Sequence, residues 1–395
     1  MDFGLSDEQR LLIDTVRRFV GEQLAPLEDE VEASGTLAPE TAREVHDKAK
    51  ALGLYAMNIA EEHGGGGLSA VDTMLCEEQF GHTTDILIRR AFGNVYEALL
   101  VCRGAQVERW LRPTVRGERV CSIAITEPGA GSDAAGITTK ATLDDAGLWH
   151  LSGHKHFISD GLVSDFFLVS AVAGQANGRK EISLFLVDKG LHGFTIGRDQ
   201  PMMGLRGTSH VELWFDDVVL GPDGLLGERG HGFRMAMDVL GRVRLAQVAA
   251  RAVGKAAHVL EASIDYAKQR QQFGQPIADF QLVQQMLADS AIEINAARWM
   301  VLHAAWLLDQ GQSHAAAARD AISMVKVQAA ETLGRVVDRA VQVFGGMGYC
   351  KDVAVERWYR DARIYRIFDG TSEIHRGVIA RSLAKRGARV FDLNR

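Results

Sequence analysis

Asp369, Gly370 and Thr371 hold the most chemistry in the fewest residues of this 395-residue chain. They lie in the string IYRIFDGTSEIHR, Ile364–Arg376, just ahead of the last long helical pattern. Residue types alone read as a turn and a helix N-cap. The same turn has a second use. Backbone amides at a helix entry lack intrahelical partners and can bind an oxyanion. A carboxylate beside them can take a proton. One turn could therefore supply both a base and the donors that stabilise the charge it creates.

A second string, ITEPGAGSDAAG (Ile125–Gly136), leaves a strand pattern and enters a Gly-rich turn. Gly129 and Gly131 let the backbone come close to a ligand, and turn amides can line up on phosphate or carbonyl oxygens. An ordinary tight loop accounts for the string equally well. A nicotinamide-dinucleotide site is disfavoured, because no GxGxxG joins a strand to a helix in a parallel βαβ unit.

Three blocks must position these residues, with boundaries at 119/120 and 230/231. Residues 1–119 are helical. Ser6 can cap a helix carrying Leu11, Leu12, Thr15, Val16, Phe19 and Val20. Further helical patterns cover Pro39–Leu52, Ser69–Phe80, Ile86–Cys102 and Gln106–Arg116, with Pro26, Pro39, Pro113 and Gly64–Gly67 as punctuation. Residues 120–230 are β-rich: CSIAIT, LWHLSGHKHFIS, DFFLVSAVA, EISLFLVD and HVELWFDDVVL, separated by Gly, Asp and Asn turns. Such spacing predicts an antiparallel barrel or sandwich. Residues 231–395 return to helix, with long patterns over Phe233–Gln269, Phe280–Asp309, His314–Phe344 and Thr371–Lys385. They predict a four-helix bundle.

Composition narrows the function classes. Hydrophobic residues make up 47% and charged residues 24%, ordinary for a globular protein. A net charge of −7 weighs against nucleic acid or an anionic membrane as partner. The basic stretch Ala380–Arg389 reads as a dipole-favoured helix end. Cys76, Cys102, Cys121 and Cys350 form no CxxC pair, so neither a disulfide framework nor a zinc site is expected, and no metal. The N-terminus is acidic and amphipathic, unlike a signal or transit peptide. No apolar run is long enough to span a membrane. A cytoplasmic location is expected, without membrane insertion.

TEPGAGSD, GHKHFISDG, QRQQFGQPI, VQVFGGMGY and IFDGTSEIHR occur in that order at fitting distances. With the three blocks, they resemble the acyl-CoA dehydrogenase family from about residue 3 to residue 388. The resemblance implies an α+β, mainly α fold: an N-terminal helical domain, a middle antiparallel β-barrel and a C-terminal four-helix bundle. It implies FAD between barrel and bundle, with a neighbouring subunit, most often in a tetramer, completing the site. Thr126, beside Ile125, would bond the pyrimidine end of the flavin. Ser132 would lie near the pyrophosphate or the CoA arm. Phe157 would pack on the isoalloxazine and Ser159 would bond N5, where fixed donors ease hydride acceptance. Arg270 and Phe273 would reach the FAD of a partner subunit. Gln342, Gly345 and Gly346 would approach the adenosine half, and Thr371 and Glu373 complete the cofactor set. Residue types alone give plainer readings: a core aromatic for Phe157, a turn former for Ser159, a helix-end cation for Arg270 with Gly274 as cap, and a helix stop for Gly345-Gly346.

Asp369 stands where most members of that family carry the Glu that removes the α-proton. In those relatives the thioester carbonyl accepts bonds from the base residue's own N–H and a ribityl hydroxyl of FAD. The implied substrate set is Ser132, Arg244, Asp369 and Gly370. Asp reaches about 1.5 Å less than Glu, one C–C bond, while proton transfer needs contact at about 3 Å. Either the substrate or the backbone must sit closer, or the proton chemistry is slow or different. Some relatives carry the Glu on the first bundle helix, but FRMAMDVLGRVRLAQ places Val243 or Arg244 there, and neither is a base. Arg89 and Arg90 are solvated helix charges, or one of them faces a polar or carboxylated acyl tail.

The implied activity is dehydrogenation of an acyl-CoA to the 2-enoyl-CoA, with an electron-transfer flavoprotein as acceptor. Two alternatives keep the scaffold and change the chemistry: an enoyl-CoA reductase, or a nitroalkane oxidase, which uses an Asp base. A third is a DNA-associated stress flavoprotein; such relatives carry an extra basic C-terminal region, and with a net charge of −7 no DNA binding is expected here.

Overall fold

The computed structural model describes residues 4–93 and 95–391. The start of the resemblance near residue 3, the expected domain ends at 1 and 395, and Asn94 within the expected Ile86–Cys102 helix lie outside the described residues.

Helices fill the first part of the chain. Ser6 caps the Asp7–Phe19 helix in a reciprocal capping box with Gln9. Val16, Phe19 and Val20 are buried, while Leu11 stays exposed. Pro39–Ala51 and Ala70–Phe80 follow, the second capped by Ser69. The expected Ile86–Cys102 helix is two elements. Asp85–Phe92 is α-helical and Glu97–Val101 is a 3₁₀ turn. Gly93 breaks the run at a φ of +61°, and a Cβ there would sit 2.5 Å from the Tyr55 ring. Apolar periodicity continued through a point where only glycine fits.

Eight strands follow: β1 (Cys121–Ala124), β2 (Lys140–Leu143), β3 (Trp149–Ser159), β4 (Phe166–Ala176), β5 (Arg179–Asp188), β6 (Phe194–Asp199), β7 (His210–Leu220) and β8 (Leu225–Leu226). They form one sheet in the order β6-β7-β3-β2-β4-β5-β8, with β1 paired to β4. Most pairings are antiparallel, but β1–β4 and β2–β4 are parallel, which corrects the expectation of a purely antiparallel arrangement. The Gly-rich segment after β1 carries the chain away, not back as a hairpin, so β4 later enters beside β1 in the same direction. Strand β4 is buried on both faces. Phe167 and Val169 join Phe185 and Val187 in the core inside the sheet. Phe166 and Leu168 pack with Trp110, Leu111, Ala236 and Val239 of the flanking helices.

The last part is a bundle of Gly232–Gln269, Gln281–Asp309, Ala315–Phe344 and Ser372–Arg386. Small residues such as Ala256, Ala297 and Ala329 at its core let the helices approach closely around Val253, Val301 and Leu333. The first helix contains a π-turn over Arg244–Ala250. Such turns are irregularities often found at functional positions, and this one begins at Arg244. No helix among the described residues is long and apolar enough to cross a membrane.

Candidate functional site

Asp369 sits in the turn between Tyr365 and the Ser372–Arg386 helix. Its φ is +53° and that of Gly370 is +92°. Asp accepts the left-handed region better than most residues; Gly370 needs it, and its Cβ would meet the His375 ring. Thr371 is the N-cap, its hydroxyl accepting from Ile374 N–H at 3.2 Å. Two groups hold the Asp369 carbonyl: Arg244 Nε donates to it at 2.6 Å, and His375 Nε2 lies 3.2 Å away. The N–H groups of Asp369 and Gly370 have no acceptor among the described residues. The turn therefore fixes a carboxylate and leaves adjacent donors open.

The electrostatics favour a stronger base than an ordinary Asp. Burial raises the Asp369 carboxyl pKa, and Arg244, Lys326 and Arg89 oppose that rise. A higher pKa brings a carboxylate nearer to the range useful for proton abstraction. Lys326 is fully buried and donates to Tyr365 O at 2.9 Å. Burial brings its ammonium down to about 8, against the pull of Asp369. Burial also lowers His375 to about 4, so the ring beside the turn stays neutral.

A second group forms at the end of β3. Phe157 has a φ of +59° and remains 49% exposed. Holding a non-glycine residue there costs roughly 1–2 kcal/mol, for an aromatic ring that faces outward at a β-bulge. Ser159 follows on the same strand, and Thr126 lies alongside, its carbonyl accepting from His156 N–H at 2.9 Å. Ile125 and Thr126 are half-buried; Ser132 is exposed on the Gly-rich segment. A Cβ at Gly129 or Gly131 would meet nothing within 4 Å, so the space over this segment is open.

A buried ion pair shapes that segment. Lys155 Nζ donates to Glu127 and to Ile125 O, both at 2.9 Å, and Glu127 accepts from Thr138 N and Oγ1 and from Thr139 N. Burial opposes both charges. The Lys155 ammonium and these donors still hold Glu127 at about 2, while Lys155 itself falls to about 8. Sequence reasoning missed both residues. The signal was the period-2 alternation of GHKHFIS, which turns Lys155 inward between two outward histidines.

Arg89 and Arg90 are not solvated. Their NH1 groups donate to Asp160 at 2.9 and 3.0 Å, and Asp160 is buried directly after Ser159. This clamp ties the Asp85–Phe92 helix to the end of β3. It corrects the reading of the two arginines as solvated helix charges, and the alternative, one of them facing an acyl tail, meets a pair already engaged by one carboxylate. The charges of Arg89, Asp160 and Asp369 all act on the Tyr96 phenol, which links the two groups.

A third group lies at one end of the bundle. Arg270 is the C-cap residue of its helix and Phe273 sits in the following tight turn, 94% exposed. Gln342, Gly345 and Gly346 end the Ala315–Phe344 helix, with Gly345 at a φ of +59°. Tyr266 stacks on Phe344 at 4.1 Å and donates to its carbonyl, which brings the two helix ends together. No hydrogen bond or ion pair among the described residues joins this group to Thr126, Phe157 or Asp369. Glu373 is exposed on the first turn of the last helix.

Known proteins share this order of helical, sheet and helical parts. The models for the N-terminal, middle and C-terminal domains of acyl-CoA dehydrogenase match residues 6–118, 122–218 and 230–384. The chain is 34% identical to the caffeyl-CoA reductase-Etf complex subunit CarC of Acetobacterium woodii, covering 96% of this chain and 99% of that one. The butyryl-CoA dehydrogenase structure from Megasphaera elsdenii superposes with a TM-score of 0.87 at 33% identity, over 97% of this chain and 100% of the other. The FAD complex of PigA superposes with a TM-score of 0.89 at 28% identity, over 98% and 100%.

Proposed function

Because the chain belongs to the acyl-CoA dehydrogenase family, we propose that it is an FAD-dependent enzyme that removes the α-proton of an acyl-CoA with Asp369 and yields the 2-enoyl-CoA. One observation carries this reading. The Asp369 turn holds a carboxylate of raised pKa beside two open backbone donors, with its own carbonyl tied down by Arg244 and His375.

The residues at β3 and the Gly-rich segment fit FAD. Phe157 offers an outward ring in a strained conformation that packing alone does not require, and Gly129 and Gly131 leave room for a phosphate arm. FAD, when bound, supplies the two-electron acceptor. Everything else falls to the chain. Thr126 and Ser159 would orient the cofactor from the strand ends, and the exposed Ser132 would offer its hydroxyl to phosphate. Asp369 N–H and Gly370 N–H donate to the thioester oxygen as charge develops on it, and the Asp369 carboxylate takes the proton. Arg244 fixes the turn so that the shorter Asp side chain meets carbon α. The Asp160 clamp on Arg89 and Arg90 holds the end of β3 in register with that turn.

The site is completed by a second copy in this reading. Arg270, Phe273, Gln342, Gly345 and Gly346 sit at helix ends of the bundle with no bond to Thr126 or Phe157 among the described residues, and Phe273 exposes nearly all of its ring. The Gln281–Asp309 helix also exposes Ile292, Trp299 and Trp306 at seven-residue spacing, a stripe suited to burial against another helix. A homotetramer of chains divided at 119/120 and 230/231 is the assembly proposed. The relationship to CarC, a subunit of an Etf complex, supports an electron-transfer flavoprotein as electron acceptor.

CarC is a reductase by its description, so the reverse direction on the same site is the second reading. Anaerobic titration separates the two. Bleaching of the yellow protein by an acyl-CoA is the expected result. Reoxidation of the dithionite-reduced protein by enoyl-CoA, with no bleaching by any saturated thioester, would assign the reductase direction. Bleaching by nitroethane alone would overturn both.

A further inference from the structure

A cavity of about 80 Å³ lies between the first helices and the π-turn of the bundle. It lies on the Arg244 side of the Asp369 turn, none of whose residues lines it. Val243 and Leu245, on either side of Arg244, line it, and so does Tyr96, on which Asp369 and Arg89 act. An acyl group extending past the thioester would enter here. The volume is roughly half the ~150 Å³ of an apolar cavity that takes up benzene, so only a few heavy atoms fit.

Its walls mix apolar side chains, Leu54, Met74 and Phe80 among them, with charged and polar ones. Glu77 and Arg251, both buried, form an ion pair along one side. At the other side Asn58 Nδ2 donates to Glu97 Oε1 at 2.7 Å, and Arg242 Nε stands 4.0 Å from the same oxygen. Thr73 and Gln247 add further polar groups. A methyl terminus placed against this lining would cover charged groups without replacing any hydrogen bond, which is costly. The charges also balance: Glu77 and Glu97 stand against Arg251 and Arg242. A carboxylate or ammonium tail would enter without a counter-ion of its own.

We propose that this cavity selects a short acyl group bearing a neutral hydrogen-bonding substituent, a hydroxyl or an amide, beyond carbon β. The specificity rests on the acyl-CoA reading above and names the substrate class of that same site. Paired side chains with remaining lone pairs and N–H groups can each accept or donate one more bond. A hydroxyl of the substrate therefore meets partners already in place, while Leu54, Phe80 and Leu308 cover the carbon chain.

The test is calorimetric binding to the FAD-loaded protein. Butyryl-, hexanoyl-, octanoyl-, succinyl- and 4-hydroxybutyryl-CoA form the panel. The expected result is that 4-hydroxybutyryl-CoA binds about tenfold tighter than butyryl-CoA, the effect of one bond to a charged group. Asn58→Leu combined with Glu97→Leu should remove that advantage while the flavin spectrum and far-UV circular dichroism persist. Thr73→Val, nearly the same size, provides a second variant should the double one fail to fold; a loss of preference for the hydroxyl is again expected. Affinity rising about fourfold per methylene from butyryl to octanoyl, as in an apolar pocket, would overturn the specificity and leave the enzyme assignment intact. So would tightest binding of succinyl-CoA. Failure of every CoA thioester to bind would overturn the enzyme assignment itself.

Discussion

Replacing Asp369 with Asn isolates the carboxylate from everything else the turn does. Asn has the same size and tolerates a φ of +53°. The Asp369 carbonyl, which accepts from Arg244 at 2.6 Å, is backbone and survives the change. The Thr371 cap is likewise untouched. The two open N–H groups remain able to bind a thioester oxygen. Only proton abstraction is lost, and positioned general bases contribute about 10²–10⁴ in rate. At 1.36 kcal/mol per decade that is roughly 3–5 kcal/mol of barrier. Stopped-flow reduction of the flavin by butyryl-CoA under anaerobic conditions measures it directly, with substrate affinity followed in the same experiment. The expected outcome is retained FAD, affinity within about threefold, and a rate lower by at least 10². The pH profile adds a second reading. Burial raises the Asp369 pKa, so the wild-type rate should rise with pH through an ionisation above the ordinary Asp range. That limb should vanish in the variant. An Asn variant that bleaches at the wild-type rate would reduce Asp369 to a turn residue and remove the basis of the mechanism.

Lys155→Met strands the Glu127 carboxylate in the interior, a loss of about 3–5 kcal/mol in urea unfolding, with weaker FAD retention; adding Glu127→Gln should restore much of the stability. Phe273→Ala should change unfolding by no more than about 0.5 kcal/mol, because the ring is solvated within one chain, yet lower both FAD affinity and assembly mass in light scattering. Unchanged affinity and mass would count against a site shared between copies. Acid should destabilise the protein through its buried histidines. Burial lowers His82 to about 3 and His258 and His375 to about 4, while the unfolded chain binds those protons near pH 6.5. Their contribution is whole above pH 6.5 and is lost as the pH falls toward 4, at most about 4 kcal/mol per pH unit for three protons. Asp361, raised to about 6 by burial, and Asp369 offset part of this. Urea unfolding at pH 7 and pH 5 tests the sign.

Much of the architecture was legible from local pattern. The long bundle helices appear within a residue or two of their expected ends, because their apolar periodicity is sustained and their caps are explicit: Thr371 before Ser372–Arg386, Gly345 after Ala315–Phe344. Strand β7 matches its expected span, His210–Leu220. Short or broken elements were not legible. Strands β2 and β6 carry too few apolar residues to stand out, and the helix stop at Gly93 depends on the Tyr55 ring packed against it.

The sequence by itself determined which residue types stand at the Asp369 turn, at the end of β3 and in the Gly-rich segment, because motif order and spacing are properties of the chain. Tertiary structure decided what surrounds them. Arg244 reaches the Asp369 carbonyl across 125 residues, from the start of a π-turn that no periodicity announces. Arg89 and Arg90 find Asp160 from another domain-sized block, and Glu77 meets Arg251 across 174 residues. Each of these partners is a charge whose pairing depends on three-dimensional proximity, and burial then sets its strength. The sequence could therefore identify the carboxylate, but only the fold could raise its pKa and open two donors beside it.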